Sequence, residues 1–454
     1  MNKTLHLGLN PEPVHPSVDK TEKSQSTTSR KTRLSVNSLF AGIGGFDRAF
    51  ELAGAEVKFQ CELDPFCRSV LSRHWPNAEL KSDIKLLQPN DIPKADVWTA
   101  GFPCQDVSLA RGNHGRTGLR GKQTSLFYEL MALVEVAQPK VILLENVVGL
   151  LNSHKGQDFA IILKELMRRD YAVSWRVLNA RYFGAPQSRS RVFICAWKGD
   201  YRRAIESLYE GEVGAKTPRE RLGFITPTVH KTGAIVPETA YCVAATSGRH
   251  TGNDWARSYI SYSDRVRRPT PTESERLQGF PAGWSMPLDD YATPLRGLDS
   301  DRYKAVGNAV AVPVVDWIAK RISSVIQKKY PGRRRNCFES DVLARAPDLE
   351  NHSQFFNVNE ILHDVEEEGF SYRWKSGGCA WGDHIVEGKA SQAPSEIIGS
   401  RFVDALDDVC PDDRYFLTAN AAAGIIRRAD SVGRTLFSPM RHALERMVSK
   451  IAAE

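Results

Sequence analysis

A cysteine stands directly after an apolar run of the sequence, in Gly101-Phe-Pro-Cys104-Gln105. A thiolate is a strong nucleophile, and the loop that leaves a parallel strand lies at the sheet edge where open α/β folds bind ligands. Residues 108–123, rich in Gly, Arg and Lys, form a long loop of the kind that is usually functional. Taken alone, Cys104 is more simply interpreted as an inert buried cysteine. The motifs around it must therefore decide whether it is a nucleophile.

A carboxylate ends the next apolar run, Leu143-Leu-Glu145-Asn-Val147. Burial at the end of a strand tends to raise the pKa of a carboxyl group, which suits a proton donor. A salt bridge or a helix cap would explain Glu145 equally well.

Three long polar side chains alternate in Gln187-Ser-Arg189-Ser-Arg191, which leads into the predicted strand Val192 to Ala196. Alternate residues of a strand share one face, so these side chains are predicted to project together. Such a face could bind an anion or a base edge, although an exposed edge strand would show the same pattern.

A glycine-rich turn, Phe40-Ala-Gly-Ile-Gly-Gly45, lies between a predicted strand and a predicted helix. The free N–H groups of a helix N-terminus favour ligands there, and Glu62, about 20 residues on, could accept both hydroxyls of a ribose. Asp83-Ile84 would suit an adenine amino group, but a lone Asp at such a position is usually a helix cap. The turn could also be purely structural.

Strands and helices alternate around these residues from position 34 to about 200. The predicted helices include Gly45 to Leu52 and Pro65 to His74. This alternation favours an α/β fold with a doubly wound sheet. The pattern weakens in residues 198–267, returns in 268–330, and is followed by a linker at Pro331.

The composition is that of a globular protein, with 41% hydrophobic and 25% charged residues. No apolar run approaches the length of a membrane span, and the polar residues 1–33 favour a disordered tail over a signal peptide. The eight cysteines lack disulfide or zinc-site spacing, which fits a reducing compartment. The net charge of +7 permits a polyanionic partner.

Taken in chain order, these segments resemble the motifs of the bacterial and phage DNA (cytosine-5) methyltransferases. Phe40 to Gly45 resembles the cofactor loop, Glu62 the acid that binds the ribose, and Asp83 the acid that contacts the adenine. Gly101 to Gln105 resembles the nucleophile motif, Glu145-Asn-Val147 the base-binding motif, and Gln187 to Arg191 the arginine motif. Two further motifs follow, Arg268 to Pro281 and Tyr303 to Val310, so the resemblance covers about residues 34–326.

The resemblance implies that Cys104 adds to C6 of a cytosine flipped out of duplex DNA, after which C5 takes a methyl group from S-adenosyl-L-methionine. Glu145 would bind the ring, with Arg189 nearer the base and Arg191 holding the site together. The loop at 108–123 would close over the base.

The resemblance also implies the remaining contacts, without a metal. The cofactor residues are Phe40, Gly42, Ile43, Gly44, Glu62, Asp83, Ile84, Leu126, Asn308 and Val310. Leu63 stands where many members carry an aromatic residue. The DNA-contacting residues are Pro103, Gln105, Ser108, Asn146, Val147, Gln187, Arg249 and Arg257.

The expected domains are a tail (1–33), a Rossmann-like catalytic domain with a mixed sheet (34–197), a target-recognition region (198–267), a return to the catalytic domain (268–330) and a C-terminal accessory region (331–454). The last could touch DNA or only stabilise the fold. We expect a monomer in the bacterial cytoplasm, associated with the nucleoid and not with membrane. A separately encoded restriction endonuclease could accompany it.

Two alternatives stay open. A tRNA cytosine methyltransferase would carry similar motifs around Cys104. A non-catalytic DNA-binding regulator could retain the fold, although Cys104, Glu145, Arg189 and Arg191 are all present.

Overall fold

A ten-stranded mixed sheet forms the centre of the protein, in the order β14-β16-β15-β6-β8-β5-β4-β1-β2-β3. Its strands and those of two smaller sheets are β1 (Ser35–Leu39), β2 (Glu56–Cys61), β3 (Glu79–Lys81), β4 (Val97–Ala100), β5 (Val141–Val147), β6 (Tyr171–Asn179), β7 (Gln187–Ser188), β8 (Ser190–Lys198), β9 (Pro227–Val229), β10 (Ile235–Pro237), β11 (Ala240–Tyr241), β12 (Ile260–Ser261), β13 (Val266–Arg267), β14 (Gln354–Asn357), β15 (Gly377–Trp381) and β16 (His384–Gly388).

The helices follow the strands in α/β alternation through the first half of the chain. They are α1 (Gly45–Leu52), α2 (Pro65–His74), α3 (Ser125–Ala137), α4 (Gln157–Met167), α5 (Tyr201–Leu208), α6 (Glu220–Ile225), α7 (Pro271–Leu277), α8 (Leu295–Asn308), α9 (Val312–Val325), α10 (Phe338–Arg345), α11 (Val358–Leu362), α12 (Ala419–Ser431) and α13 (Ser438–Ala453).

The computed structural model describes residues 33–103, 125–215, 220–248, 254–291, 295–330, 337–363, 365 and 369–453. Leu34–Glu454 forms one compact unit. Within the described ranges, no helix has the length and apolar character needed to span a membrane. The predicted tail at 1–33 lies outside them except for Arg33.

Two apolar layers enclose the sheet because its central strands carry apolar residues on both faces. Val36, Val97 and Val141 pack in the layer that holds α1, α5 and α9. Leu39, Trp98 and Ile142 pack in the layer that holds α3 and α4. β1 to β5 pair in parallel, whereas β8 pairs antiparallel with β5 and β6. The predicted doubly wound mixed sheet is confirmed.

The segment after residue 330 contributes three strands to this sheet. β15 pairs antiparallel with β6, β16 pairs with β15, and β14 lies at the edge. The final helices, α12 and α13, pack against each other; α13 contacts β12 and β13, and α12 contacts the short helix Asp254–Ala256. β12 and β13 belong to a four-stranded antiparallel sheet, β13-β12-β10-β9, within the predicted recognition region.

A buried ion pair joins that region to the returning catalytic segment. Arg267, the last residue of β13, donates two hydrogen bonds of 2.7 and 2.8 Å to the Glu273 carboxylate. Glu273 also accepts from the Thr270 backbone N–H, and Thr270 Oγ1 accepts from the Glu273 N–H, which makes a capping box for α7. One carboxylate therefore fixes the start of α7 and the end of β13.

Replacing Glu273 by Gln should lower the free energy of unfolding by about 3–5 kcal/mol, because a buried arginine loses its counter-charge. Urea denaturation monitored by circular dichroism measures this loss. The double variant Arg267→Met/Glu273→Leu should recover much of it, since no buried charge is then left unpaired. A loss below about 1 kcal/mol for Glu273→Gln would contradict this role of the pair.

Candidate active site

Glu145 lies at the end of β5, beside the chain that leads to the predicted nucleophile. A Cβ placed on Gly101 would lie 4.0 Å from Glu145 Oε2. Asn146 Nδ2 donates to the Phe102 carbonyl at 3.4 Å, and its own oxygen accepts from the Val147 N–H. β4 and β5 are parallel neighbours, so both segments reach the same edge of the sheet. Cys104, with Gln105 and Ser108, lies outside the described residues, and Pro103 is the last described residue before it.

Arg191 pairs with Glu145 across β5 and β8. Val147 is the register partner of Arg191, and Arg191 Nε lies 3.1 Å from Glu145 Oε1. Both side chains are largely buried, with 19% of Arg191 and 11% of Glu145 exposed. A salt bridge was one of the open interpretations of Glu145, and it is present.

Arg189 contacts backbone carbonyls instead of a carboxylate. Its guanidinium donates to the carbonyls of Val243 at 2.8 Å, Gly307 at 3.2 Å and Ala309 at 2.7 Å. Of the two arginines, Arg191 is therefore the one that contacts Glu145. The expectation that Arg189 lies nearer the base stays a prediction. Arg189 lies between β7 and β8, outside both strands.

Gln187 is fully buried. Its amide nitrogen donates to Leu277 O at 2.7 Å and Gln278 Oε1 at 2.8 Å, and its oxygen accepts from the Val243 N–H at 2.9 Å. In this structure the side chain therefore bonds within the protein, and a contact of Gln187 with DNA stays a prediction. Gln187 belongs to β7, which pairs with β11.

Cys242 was not identified from the sequence, yet it contacts both arginines. Its sulfur lies 3.3 Å from Arg189 Nη1 and 3.9 Å from Arg191 Nη2. Burial raises the pKa of this thiol, but the two guanidinium charges outweigh burial and leave the pKa below its ordinary value. A single cysteine in an apolar run carries no sequence signal for this position.

The predicted cofactor loop has the backbone geometry that its glycines allow. Phe40, Gly42 and Gly44 have φ of 54°, 56° and 80°. The Gly42 N–H donates to Glu62 Oε2 at 2.7 Å, and the Asp64 N–H donates to Glu62 Oε1 at 2.8 Å. Burial raises the pKa of Glu62. The turn after β1 and the end of β2 are therefore joined through one carboxylate.

Val310 brings a distant part of the chain to this loop. A Cβ on Gly45 would lie 2.7 Å from Val310 Cγ2, so only glycine permits the close approach. Asn308, two residues before Val310, is exposed at the end of α8. Ile43 and Ile84 are buried, and Leu126 is partly buried. Asp83 caps the short helix Ile84–Leu86 by accepting from the Lys85 N–H at 3.0 Å, which was its simpler interpretation.

The DNA-contacting residues predicted in the recognition region are only partly described. Arg257 donates to the Thr246 carbonyl at 2.9 Å on the exposed surface. Arg249 lies outside the described residues. Val147 is half-buried at the end of β5.

Asp47, in the first turn of α1, is a fully buried carboxyl group beside the cofactor loop. Burial raises its pKa to about 6, and the side chains of Gln60 and Ser38 offset this only in part. No functional role had been predicted for it, because an acid in the first turn of a helix is ordinary.

The raised pKa of Asp47 predicts a pH-dependent stability difference between the native protein and Asp47→Asn. Between about pH 4 and 6 the Asp47 carboxyl group keeps its proton in the native state but has lost it in the unfolded state. Its contribution to the free energy of unfolding therefore falls by about 3 kcal/mol as the pH rises through this range. Urea denaturation of both proteins across this range should show the variant gaining relative stability with rising pH. A constant difference would contradict the raised pKa.

The contacts of the two arginines predict different consequences of removing them. Arg189→Met removes the arginine donor of the Val243 and Gly307 carbonyls, while Ala309 O keeps its bond from Gln278 Nε2. The variant should lower the free energy of unfolding by about 3 kcal/mol. Arg191→Met should cost less stability but remove the cation beside Glu145, so the methyl transfer that the resemblance implies should fall more steeply than stability. Chemical denaturation and methyl-transfer assays on both variants measure this. Equal stability losses would contradict the assignment.

Comparison with known proteins identifies the class to which this fold and site belong. The family model for C-5 cytosine-specific DNA methylases matches residues 34–226 and 215–324. Type II methyltransferase M.NgoBI of Neisseria gonorrhoeae is 31% identical over 320 residues, which cover 65% of this chain and 93% of that protein. Type II methyltransferase M2.BsuMI of Bacillus subtilis is 29% identical over 310 residues, covering 64% and 75%.

A solved structure, the Entamoeba histolytica methyltransferase EhMeth, shares the fold. It aligns with a TM-score of 0.51 and 16% identity, covering 66% of this chain and all of that one. The protein belongs to the C-5 cytosine-specific DNA methylase family. It is a DNA (cytosine-5) methyltransferase.

Proposed function

We propose that this enzyme modifies one specific double-stranded DNA sequence, as the modification partner of a separately encoded restriction endonuclease in the bacterial cytoplasm. The similarity to type II methyltransferases supports this role. The placement of the Glu145–Arg191 pair beside Gly101 and Phe102 carries the assignment of the site. Everything else in the proposed reaction depends on that pair.

The loop and acid beside β1 and β2 fit S-adenosyl-L-methionine. A Cβ placed on Gly42 would meet no atom within 4 Å, whereas a Cβ on Gly45 would lie 2.7 Å from Val310 Cγ2. Glu62 is anchored by backbone N–H groups, which orients its carboxylate toward a ribose. Leu63 is 66% exposed and offers apolar surface for an adenine. When bound, S-adenosyl-L-methionine supplies the methyl group as an electrophile.

The residues of the chain would activate the cytosine. Cys104, as thiolate, adds to C6 of a flipped base, which makes C5 nucleophilic. Glu145 hydrogen-bonds the ring N3 and the exocyclic amine and so offsets the charge that develops on the ring. Arg191 holds the Glu145 carboxylate in position through their 3.1 Å contact. After methylation, loss of the C5 proton restores the double bond and expels the Cys104 sulfur.

The central test uses Cys104→Ala and a matched cysteine variant, Cys410→Ala, since Cys410 is exposed and far in sequence from the motifs. Cys104→Ala should lose all transfer of labelled methyl to DNA and all covalent trapping on a duplex containing 5-fluorocytosine. Cys410→Ala should retain both. Glu145→Gln should lose about 10²–10⁴ of the rate, as expected when a positioned acid is removed.

Three results would decide against the proposal. If Cys104→Ala still formed the covalent complex, Cys104 would not be the nucleophile. If the enzyme labelled tRNA in preference to DNA, DNA would not be its substrate. Methylome sequencing of DNA from cells expressing the enzyme should report one recognition sequence with 5-methylcytosine. Methylation without sequence preference would contradict a restriction–modification role.

A further inference from the structure

The C-terminal helices α12 and α13 form a hairpin that covers part of the recognition region. Tyr259 and Val266 of that region are buried in one apolar cluster with residues of the hairpin and the segment before it. The contributing residues are Leu417, Ala422, Ile425, Ala429, Leu436, Met440, Ala443, Leu444 and Met447. The hairpin and the recognition strands therefore share a core.

An ion pair with the buried carboxylate of Asp254 joins α12 to the recognition region. Arg428 donates to Asp254 Oδ2 through Nε at 2.9 Å and Nη2 at 2.6 Å. Tyr259 donates to Asp254 Oδ1 at 3.0 Å, and only 1% of Asp254 is exposed. On α13, Arg446 donates to the Ser263 carbonyl at 3.0 Å, in the turn between β12 and β13. Both helices are thus tied to the same segment.

The segment that contains Asp254, Tyr259 and Ser263 lies next to the chain that carries Cys242. Ser258 Oγ donates to the Tyr241 carbonyl at 3.3 Å. The next residue, Cys242, contacts Arg189 and Arg191, and Arg191 contacts Glu145. A duplex whose base occupies the active site would therefore run close to the recognition strands and to the hairpin beside them.

The hairpin has an excess of positive charge, and its acids are already paired. Residues 419–453 contain six Lys and Arg but only Asp430 and Glu445 as acids. Arg441 pairs with both: Nη1 lies 2.6 Å from Asp430, and Nε lies 2.6 Å from Glu445. With Arg428 engaged by Asp254, neither acid of the hairpin is left to neutralise its other arginines.

Arg427 and Arg434 are the arginines left available. Both are exposed, and within the described parts of the chain neither side chain has a hydrogen-bond or ion-pair partner. Gly433, with φ of 61°, follows the last residues of α12, and the Arg434 N–H bonds to the Ala429 carbonyl, which places Arg434 in the turn between α12 and α13. A Cβ on Gly433 would meet no atom within 4 Å, so this turn is open on that side.

We propose that Arg427 and Arg434 bind backbone phosphates of the duplex outside the methylated sequence. This inference rests on the proposed function, since it takes DNA as the polyanion. Arginine forks match phosphate geometry, and phosphate contacts position a protein on DNA without reading its sequence. The hairpin would therefore add affinity and orientation, while the recognition sequence stays unchanged.

The experiment measures duplex binding as a function of salt for the full chain and for Arg427→Ala/Arg434→Ala. Each phosphate that the protein no longer neutralises should reduce the slope of log K against log salt by about 0.9, so the slope of the double variant should fall by about 1.8. If affinity extrapolated to about 1 M salt is unchanged, binding at about 0.15 M salt should weaken about 30-fold. Fluorescence anisotropy on duplexes with and without the recognition sequence measures both quantities.

Two control proteins isolate the charge from the fold. Arg427→Lys/Arg434→Lys should keep the wild-type salt slope, since a lysine also neutralises a phosphate. Lys389→Ala removes an exposed charge directly after β16, outside the hairpin, and should leave the slope unchanged. Unfolding midpoints of all variants should agree, because neither arginine is packed in the core.

An unaltered slope in the Ala double variant, with DNA methylation intact, would overturn the hairpin proposal alone. A slope reduced equally by Lys389→Ala would also overturn it, because the effect would then be one of overall charge. If methyl transfer to DNA were absent and the double variant still showed the reduced slope, the proposed function would fail while the phosphate-binding role of the hairpin stood.

Discussion

The Arg189 guanidinium holds together three stretches of chain that are far apart in sequence. It donates to carbonyls of Val243, Gly307 and Ala309, and it contacts the sulfur of Cys242. Burial and the neighbouring Arg191 charge lower the pKa of this arginine, and Cys242 and Glu145 offset this in part. The central sheet, the start of the predicted recognition region and the end of α8 meet at this one cation.

Arg191 depends on that arrangement. Cys242 lies against both guanidinium groups. Arg191 donates through Nη1 to the Ser190 carbonyl and contacts Glu145 through Nε. The cofactor loop is tied to the same centre, because Ala309 accepts from Arg189 and the next residue, Val310, lies against Gly45. A shift in one arginine would therefore disturb both Glu145, the carboxylate proposed to bind the base, and the predicted cofactor loop.

The sequence correctly predicts the elements that depend only on residues close together in the chain. Pro65 to His74 is predicted as a helix and found as one, capped by Asp64, and the strand before Phe40 ends where φ turns positive. Glu62 and Gly42 meet as expected. The roles of Gln187 and Arg189 were not predictable in this way, because they depend on Leu277, Gln278 and Gly307, about 90 or more residues away.

β15 shows why the C-terminal segment was hard to interpret from sequence. Its Gly377-Gly378 pair lowers strand propensity, yet a Cβ at Gly378 would overlap the Trp175 ring, so close packing on β6 requires the glycine. β15 covers the edge that β6 would otherwise expose, and the buried Arg176–Asp348 pair joins the same two parts of the chain. The hairpin at the far end buries Tyr259 and Val266 instead. One segment thus stabilises the central sheet at its beginning and packs on the predicted recognition region at its end, which explains why it is integral to the fold although the family motifs stop before it.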